Sequence, residues 1–434
     1  EIREKYRNAF DYILVDEFQD TNNIQNEIID LLSREGNLTV VGDDYQSIYR
    51  FRGAEPQHFI NFPKKYHRAR VFKLEENYRS TAQIVEASDV LIANNTQRMG
   101  KTCFSRRQGE CIQVNDFPDA ESEARWVAGK CWEYARYERF PLEEIAVLYR
   151  TRFTSLPFER AFRSAGVPYG MSGAQGFFQR REIQDIHAYL LSAVNQRDDI
   201  AFERIINVPR RGVGPGAMKK ILSCREKEMS LQEACLNCLQ RRSLPPKTAD
   251  GLWRLVQFLK TLETERPDAA MERVLREMQY SDHLEAIAES AEDFDSRSEN
   301  IKQMIFDASR KNSIVEYLED AALLREDQDD SDNRAGVRLS TIHAAKGLEY
   351  RIVFVVAMEE GILPHSRSMN GENDAGYDVG IEEERRLMYV AMTRASDLLH
   401  LTLSRSRRGE MTVPSRFLEE IPENLLRFEN LNWA

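Results

Sequence analysis

Asp16 and Glu17 stand side by side where the short apolar run Tyr12-Ile13-Leu14-Val15 ends. Adjacent carboxylates at the carboxyl end of a strand can divide two tasks of phosphoryl transfer from a nucleoside triphosphate: one holds Mg2+, the other orients or deprotonates the attacking water. A solvated acidic turn would look the same, so the pair alone decides nothing. A second apolar run, Thr39-Val40-Val41, leads into Gly42-Asp43-Asp44-Tyr45-Gln46 and then Tyr49-Arg50-Phe51-Arg52. Aromatic and arginine side chains interleaved in this way make a surface on which bases stack and phosphates pair. Phe51 taken alone could equally tuck into a core. Leu74-Glu75-Glu76-Asn77-Tyr78-Arg79-Ser80 sets one more arginine beside an aromatic. Gly100-Lys101-Thr102 carries the last residues of the phosphate-loop pattern G-x-x-x-x-G-K-[ST]. Asn95 occupies the first glycine position, however, and Ala87 to Ala93 reads as helix where a strand belongs, so the stretch is a decoy.

The elements that must hold these groups follow from hydrophobic patterning. The continuous apolar runs ending at Val15 and Val41 fit strands of a parallel sheet covered on both faces. Ala124, Val127, Ala128, Cys131 and Ala135 recur at helical spacing, and Ile145-Ala146-Val147-Leu148-Tyr149 follows as a strand, which predicts a second α/β unit. Strand signals resume at 337–341, 351–356 and 398–402. From Ala201 to Asn333 they vanish in favour of helical text that ends in the acidic run 325–332, read as a solvated linker. The expectation is an α/β fold interrupted by an all-helical insertion.

The 434 residues carry 60 Lys and Arg against 71 Asp and Glu, a net charge of −11, with 42% hydrophobic and 30% charged residues. That is the composition of a folded chain of several domains, neither disordered nor fibrous. The acidic balance is local: Asp282 to Arg334 holds 16 acidic and 6 basic residues, and the remainder is close to neutral. The sign of the total therefore says little about what other surfaces bind. No run approaches the roughly 18 apolar residues of a membrane span, so no membrane partner is expected. Among six cysteines only Cys235 and Cys238 stand at CxxC spacing, with no second pair to complete a zinc site. All six read as buried free thiols of a cytoplasmic protein.

DEFQDTN (16–22), VGDDYQSIYRFRGA (41–54) and LEENYRS (74–80), in this order and spacing, resemble motifs II, III and IV of superfamily 1 DNA helicases of the UvrD/Rep/PcrA type. Downstream, 177–185 and 206–214 are similar to the flank and the start of that family's inserted domain, Thr341 to Glu349 to motif V, and Glu382 to Ala395 to motif VI. The resemblance spans nearly the whole chain. It implies a RecA-like P-loop NTPase helicase core: the end of the first core domain at 1–80, the second at 81–200 and 334–434, and a helical insert at 201–333. It further implies ATP and Mg2+ as cofactors and 3′→5′ translocation. The implied partners are single-stranded DNA, single/double-strand junctions and proteins of repair or replication.

Carried over position by position, Asp16 would hold Mg2+ and Glu17 would activate water. Gln46 would sense the γ-phosphate, and Arg79 and Arg394 would be arginine fingers worth about 10³–10⁵ in rate. Tyr78 would stack on adenine and Glu349 would accept from the ribose. Phe51, where the family usually has Trp, would stack on bases, with Arg52, Arg150 and His343 touching the single strand. Gly212 and Gly214 resemble a helix-hairpin-helix turn on duplex phosphate, though a plain connecting turn would read alike. Tyr45 and Arg152 replace an Asp and an Asn of the family pattern, near the expected DNA path. The family's phosphate loop lies upstream of motif II, so it is expected before Glu1, leaving this stretch inactive by itself. The rival expectations are a non-catalytic DNA-binding or docking module and the helicase subunit of a nuclease complex.

Overall fold

The computed structural model describes residues 2–34, 36–172, 176–326, 335–369 and 379–429. The acidic stretch 327–334, part of the expected linker, lies outside the described residues. Two compact units result, one of Glu1–Arg150, Ser164–Gly173 and Ala335–Ala434, the other of Thr151–Arg163 and Ala174–Arg334.

The first unit opens with α1 (Ile2–Arg7), β1 (Ile13–Val15), α2 (Asn23–Leu32) and β2 (Leu38–Val40), and the two strands pair in parallel with Ile13 opposite Leu38. α2 begins at a capping box: Asn22 Oδ1 accepts from the Gln25 N–H at 2.9 Å while Gln25 Oε1 accepts from the Asn22 N–H at 3.0 Å. The short helices α3 (Gln57–Ile60) and α4 (Phe62–Lys65) bring Phe59 and Phe62 against Phe18. The expectation of strands covered on both faces fails here, for Leu14 is 76% exposed and Tyr12, Ile24 and Val41 are exposed with it. Among the described residues only two three-residue strands pair at this point, and such a ribbon leaves both its edges open.

After α5 (Ala82–Ala93) the same unit builds its main sheet from β3 (Ile112–Phe117), β4 (Ile145–Tyr149), β5 (Tyr169–Ser172), β6 (Val337–Thr341), β7 (Tyr350–Val355), β8 (Ala395–Ser404) and, after the hairpin β9 (Ser406–Arg407) and β10 (Glu410–Met411), β11 (Leu426–Glu429). Its order is β11-β3-β8-β7-β4-β6-β5 and every pairing is parallel. β4 is buried along its whole length, as a central strand with helices on both faces must be. On one face α6 (Ala120–Arg136) starts where Asp119 accepts from the Ser122 N–H, and lays Trp126 against Phe117 and Phe354. On the other, α5 and α17 (Val379–Met392) share a core with Val114, Leu148, Val353 and Leu401. A buried Arg407 donates to both Glu123 and Glu359 at 2.8 Å, and Thr402 and Ser404 satisfy further carboxylate lone pairs.

The second unit is helical: α7 (Ser155–Ser164), α8 (Arg181–Val194), α9 (Asp199–Ile205), α10 (Pro215–Ser223), α11 (Leu231–Gln240), α12 (Pro246–Leu262), α13 (Pro267–Glu277), α14 (Tyr280–Ile287), α15 (Ala291–Ala308) and α16 (Ile314–Glu326). Tyr189, Phe202, Leu252, Leu255, Met271 and Met304 lie in its core. The unit resumes at Ala174 rather than at Ala201, because α8 packs among α9, α12, α13, α15 and α16. Apolar helical text alone cannot say which core receives it. Cys235 and Cys238 share a buried face of α11, as expected of free thiols. Cys111 is exposed and Cys103 half-buried, however, because both sit in the connection between α5 and β3.

Candidate functional site

β1 and β2 end side by side, and each delivers a loop to the same place. Glu17 holds φ 49° and ψ 39°, a left-handed conformation that costs a non-glycine residue energy and recurs at functional sites. Its N–H donates to Asp16 Oδ1 at 2.8 Å, its Oε2 accepts from Gln19 Nε2 at 2.6 Å, and both carboxylates face solvent. Gln19 is fully buried and fastens the two loops together, its Oε1 accepting from the Asp43 N–H at 3.0 Å. A side chain at Gly42 would meet that same oxygen at 2.4 Å and push the Gln19 amide off the Asp43 N–H. Next, Gln46 Nε2 donates to Asp43 Oδ2 at 2.8 Å.

Motifs V and VI approach this edge from the second half of the unit. Arg394, just past α17, is only 2% exposed. It donates to the Val390 carbonyl at 3.1 Å, the Leu348 carbonyl at 3.0 Å, Thr393 Oγ1 at 3.2 Å and Gln46 Oε1 at 3.4 Å. None of these acceptors is a carboxylate. Burial, with the Arg79 guanidinium nearby, pushes Arg394 down to about 10. Arg79 Nε donates to Glu349 Oε2 at 2.6 Å. Tyr78, its neighbour in sequence, is 82% exposed and donates to Glu76. The structure thus brings Glu17, Gln46, Arg79, Glu349 and Arg394 to one edge, with Asp16 and Tyr78 attached through their neighbours in the chain.

Two residues the sequence did not single out complete the cluster. Lys346 is buried, and its Nζ donates to Asp20, to the Gln46 carbonyl at 2.8 Å, and stands 3.3 Å from Glu17 Oε2. Burial pushes the Asp20 carboxyl above its ordinary range despite Lys346, and Asp20 Oδ1 has no partner. A lysine and an aspartate inside longer motifs carry no mark of this; only burial beside opposite charge reveals them.

Of the residues expected to touch single-stranded DNA, Arg52 and His343 lie together. The Arg52 guanidinium sits 5.2 Å from the Tyr49 ring centroid, and Tyr49 Oη donates to the His343 carbonyl at 3.2 Å. Phe51 has its backbone in a 3-10 turn, and its side chain lies outside the described residues. Arg150 is bound by Glu384 of α17 through three hydrogen bonds of 2.7 to 3.1 Å. Tyr45 is buried: it crosses Tyr389 edge-on at 5.4 Å and accepts from Arg98 at 3.0 Å, as an aromatic with one hydrogen-bonding end can. Gly100-Lys101-Thr102 lies in a loop that follows α5, without the strand-loop-helix order of a phosphate loop.

In the helical unit, Gly212 adopts φ +77° and Gly214 caps α10 with Pro215 at the first helical position. Arg211 holds this turn from within, donating to the carbonyls of Ile205, Val208 and Pro209 at 2.8 to 3.1 Å, while Arg210 and the first turn of α10 face solvent. Arg152 lies in a 3-10 turn of this unit, its carbonyl accepting from Arg180 at 3.0 Å.

Residues 72–242 and 248–406 match the model of the UvrD-like helicase C-terminal domain, and residues 1–67 that of the UvrD/REP helicase N-terminal domain. The chain is 36% identical over 444 residues to the ATP-dependent DNA helicase PcrA of Staphylococcus epidermidis, covering 98% of this chain. It is 37% identical over 443 residues to that of Staphylococcus aureus strain Mu50, again covering 98% of this chain. In both cases it spans 60% of the relative's length. Among solved structures, the C-terminal domain of a possible DNA helicase from Lactobacillus plantarum overlaps 81% of this chain and 98% of that one, at 12% identity. The TM-score is 0.31.

Proposed function

This chain belongs to the UvrD/Rep helicase family and has its RecA-like α/β core, and on that premise we propose that it serves ATP-driven 3′→5′ movement along single-stranded DNA and unwinding at single/double-strand junctions. The observation that carries the reading is Arg394: a buried guanidinium, beside Arg79 and without a carboxylate partner, is a site built for an anion that arrives. The unpartnered Asp20 oxygen and the two solvent-facing carboxylates at the end of β1 fit a nucleotide accompanied by a divalent cation.

In this reading Asp16 holds Mg2+, Glu17 takes the proton from water, Tyr78 stacks on the base and Glu349 accepts from the ribose. Mg2+ when bound supplies charge neutralisation at the phosphates. Arg79 and Arg394 meet the charge that develops on the transferring group, and Gln46, touching Arg394, carries the state of the site to the Tyr49-to-Arg52 segment, where Phe51, Arg52 and His343 meet the strand, with Arg150 behind them. Gly214 and the first turn of α10 take duplex phosphate. Residues 1–80 belong to the first core domain, and 81–150, 164–173 and 335–434 to the second. The helical unit is the insert. The physiological setting proposed is the cytoplasm, in DNA repair or replication alongside partner proteins.

The 434 residues contain no G-x-x-x-x-G-K-[ST], so this stretch by itself turns over ATP negligibly. The test is strand displacement by the ATP-hydrolysing protein that carries the chain, on duplexes tailed at 3′ or 5′. Unwinding from a 3′ tail, lost in Arg394→Ala with the apparent ATP affinity little changed, is expected. Unwinding confined to 5′ tails, or equal losses in turnover and affinity, overturns the reading.

A further inference from the structure

Lys101 belongs to the Gly100-Lys101-Thr102 stretch that mimics a phosphate loop, and the structure gives it other work. Its ammonium stands 2.5 Å from Asp43 Oδ1 and 4.3 Å from the centroid of the Tyr45 ring. Asp43 divides its two oxygens. Oδ1 takes Lys101 and the Tyr45 N–H at 3.0 Å, while Oδ2 takes Gln46 Nε2 at 2.8 Å. An amide whose nitrogen is committed to a carboxylate turns its oxygen the other way, and there Arg394 Nη2 lies 3.4 Å from Oε1.

The loop that carries Lys101 is clamped in turn. Tyr45 Oη accepts from Arg98 at 3.0 Å and lies 3.2 Å from the Lys101 carbonyl, and Asp44 Oδ2 accepts from the Met99 N–H at 2.7 Å. Tyr45 brings no charge to compete with Asp43 for the ammonium, which a carboxylate at that position would do, and its ring face adds a cation–π contact. Without Lys101, Asp43 would sit half-buried beside Asp44 without its ion-pair partner. It would then turn toward water, and the Gln46 amide would lose the acceptor that decides which of its ends faces Arg394.

We propose that Lys101 is a positioning residue for the ATPase reading above, on which this proposal rests: by holding Asp43 it keeps the Gln46 amide turned toward Arg394. Two readouts test it. On the 434-residue chain, with glutamine side chains labelled with 15N and Gln46 identified by the loss of its signal in Gln46→Glu, Lys101→Met shifts the Gln46 amide resonances and speeds their hydrogen exchange, while Lys101→Arg preserves both. In the ATP-hydrolysing protein that carries the chain, Lys101→Met lowers DNA-stimulated kcat roughly ten- to a hundredfold, the scale of a misplaced catalytic group, and Lys101→Arg recovers most of it. KM for ATP stays within about twofold. Gln46 resonances unmoved by Lys101→Met overturn the proposal, as does an unchanged kcat or a loss carried by KM alone. A wild-type protein without ATPase overturns the enzymatic reading instead, and the amide resonances still decide whether Lys101 orients Gln46. If Lys101→Met does not fold, Lys101→Gln is read in the same two ways.

Discussion

Arg150 donates three hydrogen bonds to the carboxylate of Glu384, joining the end of β4 to α17. Burial pushes the Glu384 carboxyl up, but Arg150 outweighs it, and the group is held below the usual carboxylate range. The His365 N–H and Ser368 hydroxyl also donate to it. Arg150→Ala therefore strands a buried carboxylate and destabilises the fold by roughly 3–5 kcal/mol. Arg150→Ala combined with Glu384→Gln recovers most of that loss. Urea denaturation of the three proteins measures the coupling; additive losses would mean that the pair is not a structural unit.

The two glycines of the α10 turn separate fold from function. At Gly212 a Cβ would meet Thr248 Oγ1 at 2.8 Å and φ is +77°, so Gly212→Ala is strained and lowers the thermal midpoint. At Gly214 φ is −91° and a Cβ would find nothing within 4 Å, so Gly214→Ala folds normally. A methyl there still blocks the approach of a phosphate to the first N–H groups of α10. The expectation is an unchanged midpoint with weaker duplex binding at Gly214→Ala. Undiminished duplex affinity would show that the turn only connects two helices.

What could be read from the chain was whatever local pattern determines. The strands ending at Val15 and Val40, β4 and β7 follow from continuous apolar runs, β6 and β8 from mixed runs of strand-forming residues, Asp16 and Glu17 from their place just past such a run, and the other site residues from the resemblance of the motifs. The cover of β1 could not be read, because exposure depends on which strands pair beside it. Nor could the upstream limit of the helical unit, since α8 is apolar enough for either core. Lys346, Asp20 and Lys101 were hidden for a third reason: each matters through a charge partner far away in sequence. Tyr45 read as a departure from the family pattern, and its burial against Tyr389 is likewise a product of long-range packing.

His400 supplies an acid-sensitive element in the sheet core. It is fully buried, stacks on Phe354 at 4.4 Å, has Nε2 2.8 Å from Tyr134 Oη, and leaves Nδ1 without a partner. Burial, helped slightly by Lys130, pushes it down to about 3. A base whose folded value is depressed contributes stability that is present above its ordinary value of about 6.5 and is lost as pH falls from there toward 3. In that window the group costs about 1.4 kcal/mol per pH unit. His400→Phe keeps an aromatic on Phe354 and should flatten the acid limb of a stability-against-pH curve by one proton. An identical slope in both proteins would refute the assignment.

Arg394 yields a prediction about stability that is independent of turnover. Its folded value near 10 lies below the ordinary arginine range, so the charged form burdens the fold at every pH below about 10, and the burden lifts only as pH rises above that. Against this stand its hydrogen bonds to the Val390 and Leu348 carbonyls and Thr393 Oγ1. Replacing a buried charge by an apolar side chain of similar length is commonly neutral or stabilising. Arg394→Met is therefore expected to hold or raise the thermal midpoint of the nucleotide-free chain while abolishing hydrolysis in the ATP-hydrolysing protein. Calorimetry decides between the two roles: a fall of many degrees would make Arg394 a structural clamp on the end of α17, whereas an unchanged or higher midpoint leaves an incoming anion as the reason for burying it.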